Sequence, residues 1–205
     1  MIHDHNSLQN IQDEQNHSNF CITLNPLPDP LLEVLPAEAQ QCFNEIEAAT
    51  QRRDVHYIKR IEEFILEYPY LPKLYNFLEG LYIIDEQEDK AKKLAKIMYD
   101  KFPYYLFAKV AYAKCCMDAG RIDDFTRIFE GKSHLKELYP YRDEFHVSEF
   151  LAFTDVVFTH ACHKKNFDLA RKLIKELKSM PFDFDHVVED LEARLERFEY
   201  PNRTF

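Results

Sequence analysis

The sequence predicts an all-α protein built from consecutive helical hairpins. From residue 37 onward, apolar residues recur every three or four positions, which is the period of one helix face, and the alternation typical of strands is nearly absent. Prolines fall between the apolar stripes, where a missing backbone N–H does little harm. They are Pro69, Pro72, Pro103, Pro140, Pro181 and Pro201. Pro69 and Pro103 lie 34 residues apart, which indicates an internal repeat.

Four apolar stripes occupy the first part of this helical region, and each has the length of half a hairpin. They consist of Phe43, Ile46 and Ala49; Tyr57, Ile58, Ile61, Phe64 and Ile65; Leu74, Leu78, Leu81 and Tyr82; and Ala91, Leu94, Ala95 and Met98. The polar residues 51–54 separate the first two stripes. The pattern therefore predicts pairs of helices joined by short turns.

The repeat is visible in the residues themselves. Glu-Tyr-Pro-Tyr surrounds Pro69 and Lys-Phe-Pro-Tyr surrounds Pro103. A 34-residue helix–turn–helix unit of this kind resembles the tetratricopeptide repeat (TPR). Within residues 72–105, the family's large, apolar, aromatic, small and terminal positions are matched by Tyr75, Leu78, Tyr82, Ala91 and Pro103.

A second copy begins at Leu106 and includes Tyr112, Ala113 and Cys116, with Gly120 placed to end the first helix in a left-handed cap. Residues 37–69 and 148–181 match more weakly. The segment 131–141 lengthens the unit that begins at Leu106. The resemblance implies a right-handed α-solenoid of TPR-like hairpins.

The ends of the chain differ from the repeats. Residues 1–36 contain five acidic residues, no Lys or Arg, and four prolines, and they are expected to form a flexible acidic leader and linker before a repeat domain at 37–205. After Pro181, one more amphipathic helix is expected to cap the stack with its polar side outward. Its apolar face consists of Val187, Val188, Leu191, Leu195 and Phe198, and Asp183 or Asp185 is expected to cap its first turn.

Bulk composition excludes several classes of protein. Only three glycines occur, too few and too scattered for the glycine-rich loops of nucleotide enzymes, and a net charge of −10 disfavours nucleic acid as a partner. No apolar run is long enough to span a membrane, and the first twenty residues do not form a secretory signal. The sequence therefore predicts a cytoplasmic protein whose five cysteines are reduced.

The most site-like cluster is His160, Cys162 and His163, with Asp155 and Thr159 nearby, because imidazole and thiolate are common zinc ligands. On a helix, however, Cys162 points about 200° away from His160, so at most two of these ligands converge. The sequence favours a helix end rather than a metal site, and no cofactor is expected. An enzyme or metal protein centred on His160 and His163 remains an alternative.

The predicted function is a noncatalytic adaptor or scaffold that binds a peptide or amphipathic helix of another protein in a concave groove. In this family the first helices line the groove. The corresponding positions are Lys73, Asn76, Ile83, Phe107, Val110, Lys114 and Met117. A second alternative is a small cytosolic secretion-type chaperone for one client, and self-association as a homodimer is left open.

Overall fold

The structure is a computed structural model that describes residues 20–201. Within this range it contains eleven α-helices and two short strands. The helices are α1 (Pro30–Glu33), α2 (Ala37–Gln51), α3 (Ile58–Glu67), α4 (Pro72–Ile84), α5 (Glu88–Lys101), α6 (Leu106–Asp118), α7 (Asp124–Ile128), α8 (Leu135–Leu138), α9 (Val147–His163), α10 (Phe167–Ser179) and α11 (Asp185–Glu199). The strands are β1 (Cys21–Thr23) and β2 (Glu144–His146). The all-α prediction is thus confirmed at the level of helices packed on their neighbours in the chain.

The helices that begin successive hairpins contact one another in series. Helix α2 contacts α4, α4 contacts α6, α6 contacts α9, and α9 contacts α11. We call these five helices the first-helix layer, because α2, α4, α6 and α9 each begin a hairpin and α11 continues the series. The second helices pack on the first helices: α3 lies on α4, α5 lies on α4 and α6, and α10 lies on α9 and α11.

The turn that follows a first helix has the same backbone conformation four times. Arg53, Glu86, Gly120 and Lys165 all have positive φ, between 57° and 75°. In each turn the N–H of this residue bonds to the carbonyl three residues earlier, and the next N–H bonds to the carbonyl five residues earlier. This is the Schellman motif, which satisfies carbonyls left free at a helix end. The repeat is therefore present in the hydrogen bonding as well as in the sequence.

Helices α3, α5 and α8 each end before an aromatic residue that precedes proline, whereas α10 ends before Met180. Tyr68, Phe102 and Tyr139 all leave the helical region, with ψ between 62° and 71°. Crowding by the proline ring pushes the preceding residue out of the α conformation, so these prolines stop the helices. Helix α11 ends in the same way at Tyr200, before Pro201.

The third hairpin departs from the others, because its second helix is split into α7 and α8. Glu130 and Gly131 adopt positive φ at the break. Lys109 of α6 is buried there, and its Nζ donates to the carbonyl of Ile128 at 2.9 Å. Burial lowers the pKa of Lys109, and Glu130 partly offsets this effect. The lysine thus satisfies a carbonyl that the interrupted helix would leave without a partner.

The N-terminal part of the described chain packs on the helices. Strand β1 pairs in parallel with β2, and Cys21 lies opposite Glu144. Leu35 is buried in the cluster formed by α2, α3 and α4. Within residues 20–36, which the sequence assigns to a flexible leader, Leu35 is buried and Phe20 packs on Phe145, whereas Leu24 and Val34 are exposed. The rest of that predicted leader, residues 1–19, lies outside the described residues.

None of the helices in residues 20–201 has the length and apolarity that crossing a bilayer requires.

Candidate functional site

The seven predicted groove residues lie on two neighbouring first helices. Helix α4 carries Lys73, Asn76 and Ile83, and α6 carries Phe107, Val110, Lys114 and Met117. Ile83 is 55% exposed and Lys114 is also exposed, whereas Asn76 and Phe107 are half-buried. The structure therefore leaves part of the predicted surface open to a partner.

Two of the seven residues are not on the surface. Val110 is 5% exposed and Met117 is 2% exposed, and both belong to the core cluster that contains Phe129 and Phe153. Helix α6 is the central helix of the molecule, with α4, α5, α7 and α9 packed around it. A helix that is apolar on nearly all sides is typical of such a position, so the sequence of α6 itself contained this signal.

The two predicted cations already have acidic neighbours within the chain. Lys73 Nζ lies 3.5 Å from Asp29 Oδ2, and Lys114 Nζ lies 2.5 Å from Asp155 Oδ2. Pairs that keep solvent access contribute little, up to about 1 kcal/mol. Each lysine therefore already has an acidic partner within the chain.

Sequence reasoning missed a row of charged residues that crosses the first-helix layer. It runs from Glu79 on α4 through Lys114 on α6 and Asp155 on α9 to Arg194 on α11, and we call it the charged row. Arg194 donates to Asp155 Oδ1 and to Thr159 Oγ1, both at 2.5 Å. Asp155 therefore accepts from two cations that come from different helices.

Two carboxyl groups of the charged row, Asp155 and Glu79, have pKa values shifted in opposite directions. Burial alone would raise the pKa of Asp155, but Lys114 and Arg194 outweigh burial and hold the pKa below its ordinary value. Burial raises the pKa of Glu79 to about 7, although Lys114 acts in the opposite direction. Asp155 is thus ionised at neutral pH, while Glu79 titrates near pH 7.

The sequence contained one signal for this row. Asp155 interrupts the otherwise apolar stretch 150–161, and a charge within an apolar helix needs a partner when the helix is buried. Its partners lie 41 residues earlier and 39 residues later in the chain, at Lys114 and Arg194. No local pattern connects such distant positions.

Residues 20–29, which we call the strap, run from strand β2 to the N-terminal end of α4. Phe20 packs edge-on against Phe145 with ring centroids 5.2 Å apart, and Asp29 pairs with Lys73. Burial raises the pKa of Tyr105, the residue that precedes α6, and the charges of Glu149 and Asp29 add to this effect. The strap therefore occupies one end of the surface on which the predicted groove residues lie.

The metal hypothesis does not match the geometry of its residues. His160 stacks on Phe125 with ring centroids 4.0 Å apart, Cys162 is buried in the C-terminal core, and His163 contacts Phe198. The side chains diverge, and no group of three or more His, Cys, Asp or Glu within residues 20–201 is arranged to hold a metal ion. Burial lowers the pKa of His160, and Lys164 adds to this effect. Its Nε2 atom is buried without a hydrogen-bond partner.

The thiols of Cys115 and Cys162 are not activated as nucleophiles. Burial raises the pKa of Cys115 to about 11, and Glu79 adds to the effect. Burial raises the pKa of Cys162 to about 11 as well. A nucleophilic cysteine requires the thiolate, which these environments disfavour.

The chain matches no family model, no curated protein and no solved structure.

Proposed function

We propose that this protein is a noncatalytic interaction module, an adaptor or scaffold made of TPR-like hairpins in a right-handed solenoid. Its first-helix layer would hold a peptide or amphipathic helix of another protein. The observation that carries the proposal is the continuity of this layer, in which α2, α4, α6, α9 and α11 contact one another in series. Helices stacked in this way present an extended surface, which suits an elongated ligand.

The chemistry of the surface favours apolar anchors over charge recognition. Ile83 is exposed at the C-terminal end of α4, and the neighbouring Ile84 is exposed too. The charges of the charged row alternate in sign, and Asp155 pairs with both Lys114 and Arg194. A partner would therefore gain most of its affinity by burying apolar side chains near Ile83, with the charged row setting its orientation.

A peptide selection with two matched variants tests this proposal. Peptides would first be selected from a random display library against the full chain and measured by fluorescence anisotropy. Ile83→Glu on first helix α4 is expected to weaken the selected peptides at least about tenfold, since it places a charge at an exposed position that a bound peptide would bury. Leu66→Glu is the control, because Leu66 is 82% exposed on second helix α3.

The two variants distinguish binding at the first-helix layer from binding at the second helices. If Leu66→Glu weakens the peptides as much as Ile83→Glu does, or if neither substitution weakens them, the first-helix layer is not the binding surface.

A further inference from the structure

Strand β2 is held in place by contacts that do not involve the strap. Arg142 makes a two-pronged ion pair with Glu149 and donates to the carbonyl of Glu144. His146 and Glu149 form a capping box at the start of α9. The Arg142 guanidinium also lies 4.4 Å from the centroid of the Phe145 ring. These contacts fix β2 and Phe145 whether or not another strand is paired with them.

The strap is attached to this prebuilt surface at two separated points. At one end, Phe20 packs on Phe145, and the N–H of Cys21 donates to the carbonyl of Asp143 at 2.7 Å. At the other end, Asp29 pairs with Lys73 on α4. The two points are a short extended strand and a partly exposed ion pair, both of which are weak attachments.

Between these points the strap is mostly exposed. Leu24 is 64% exposed, and the exposed positions continue through Asn25, Pro26 and Pro28. Segments with few buried contacts open locally at a small fraction of the cost of global unfolding. The prolines also keep the open segment extended, so that it can leave and return without refolding.

We infer that strand β2, Phe145 and Lys73 form a receptor surface for an extended acidic segment of a partner protein, and that the strap is its resident occupant in the free protein. The partner segment pairs with β2 as a parallel strand, places an aromatic ring on Phe145, and places a carboxylate on Lys73. This inference rests on the proposed function, since it names the class of partner and the way in which the strap regulates its binding. Binding then requires the strap to open, so the strap lowers the apparent affinity of every such partner.

The position of Cys21 allows the strap to be locked. Cys21 is exposed and lies directly opposite Glu144 in the parallel pairing, and Glu144 is exposed as well. In the full-length variant Glu144→Cys, oxidation is expected to join residue 144 to Cys21 and to hold the strap closed. Dithiothreitol releases it. The double variant Cys21→Ser/Glu144→Cys is the matched control, because it cannot form this bond.

The probe is a fluorescein-labelled peptide with the sequence of residues 18–35, carrying Cys21→Ser. Oxidised Glu144→Cys is expected to bind this peptide at least about tenfold more weakly than the same protein after reduction, and the control variant is expected to show no redox dependence. Conversely, Phe20→Ala in the full chain removes one anchor of the strap and is expected to tighten peptide binding severalfold.

A charge exchange tests the contact with Lys73 without touching the core. The variant Lys73→Glu weakens the resident strap and the probe through the same contact, so its expected signature is a reversed preference. It should bind a peptide carrying Asp29→Lys more tightly than the unchanged probe, whereas wild-type protein should prefer the unchanged probe. Because Lys73 is not in the core, this readout does not depend on a destabilised protein.

Three results would overturn the inference. The first is equal binding by the locked and the released protein, and the second is no binding of the probe to Phe20→Ala. The third is a probe-free dimer of the full chain, measured by light scattering, that disappears when the bond between residues 21 and 144 forms, because the occupant would then be a second copy. Any of these results leaves the proposed function intact if peptides selected on the Ile83 surface still bind.

Discussion

Replacing Glu79 by glutamine is expected to stabilise the protein at pH 8. Glu79 lies half-buried on α4, and its pKa is raised from 4.5 to about 7, mainly by burial. A carboxyl with a raised pKa binds its proton more tightly in the folded state than in the unfolded state. Its ionisation therefore costs stability, and the cost grows as the pH rises from about 4.5 to about 7 and is fully present above that range.

The size of the effect follows from the same comparison. Raising a pKa from 4.5 to about 7 corresponds to roughly 3 kcal/mol. Because Glu79 keeps some access to solvent, we expect Glu79→Gln to increase the free energy of unfolding by about 1–2 kcal/mol at pH 8. Most of this gain should disappear at pH 5, where the wild-type carboxyl is already protonated in the folded protein. Lys114 keeps its contact with Asp155 in the variant.

Urea unfolding followed by circular dichroism at pH 5 and pH 8 measures the effect. The control is Glu63→Gln, which makes the same chemical change on the exposed side of α3 and should alter stability by less than about 0.5 kcal/mol. A Glu79→Gln protein that is less stable than wild type at pH 8, or that changes equally at both pH values, would refute the reasoning.

Other substitutions test the turns, the core and the charged row by the same urea assay. Gly120→Ala should cost about 1 kcal/mol, because φ at this residue is +75° and nothing but backbone strain opposes the new Cβ. Gly80→Ala, in a helix interior with open space around it, should instead add about 0.5–1 kcal/mol; equal signs for the two glycines would contradict the assigned conformations. Leu78→Ala should cost about 2–5 kcal/mol, since the side chain is buried at the junction of the first two hairpins. Asp155→Asn should cost about 1–3 kcal/mol, because it leaves two cations facing each other on α6 and α11; an unchanged midpoint would show that the charged row does not stabilise the stack.

The helices were predictable because their signals are local. The stripe that contains Ile46 and the stripe that contains Leu78 both lie on buried helix faces, and the prolines stop helices where the sequence places them. Gly120 takes the left-handed conformation expected of it. Arg53, Glu86 and Lys165 adopt the same conformation in three other turns. The sequence did not predict it there, because none of these residues is a glycine.

The features that were missed depend on residues far apart in the chain. The burial of Val110 and Met117 arises because α6 is surrounded by other helices, whereas a repeat frame assigns groove positions from one unit alone. The packing of the strap depends on β2, which lies more than 100 residues later. Likewise, the position of Asp155 between Lys114 and Arg194 requires three helices to be assembled. Single-sequence periodicity carries none of this information.

The central claim is that the first-helix layer is the surface that holds a partner, and hydrogen exchange measures this most directly. The full chain would be compared by mass spectrometry with and without a saturating selected peptide. The account predicts slower exchange in α4, α6 and α9, with the largest change in peptides that contain Ile83, and little change in second helices α3 and α10. Protection confined to α3, α5 or α10, with the first helices unchanged, would contradict it.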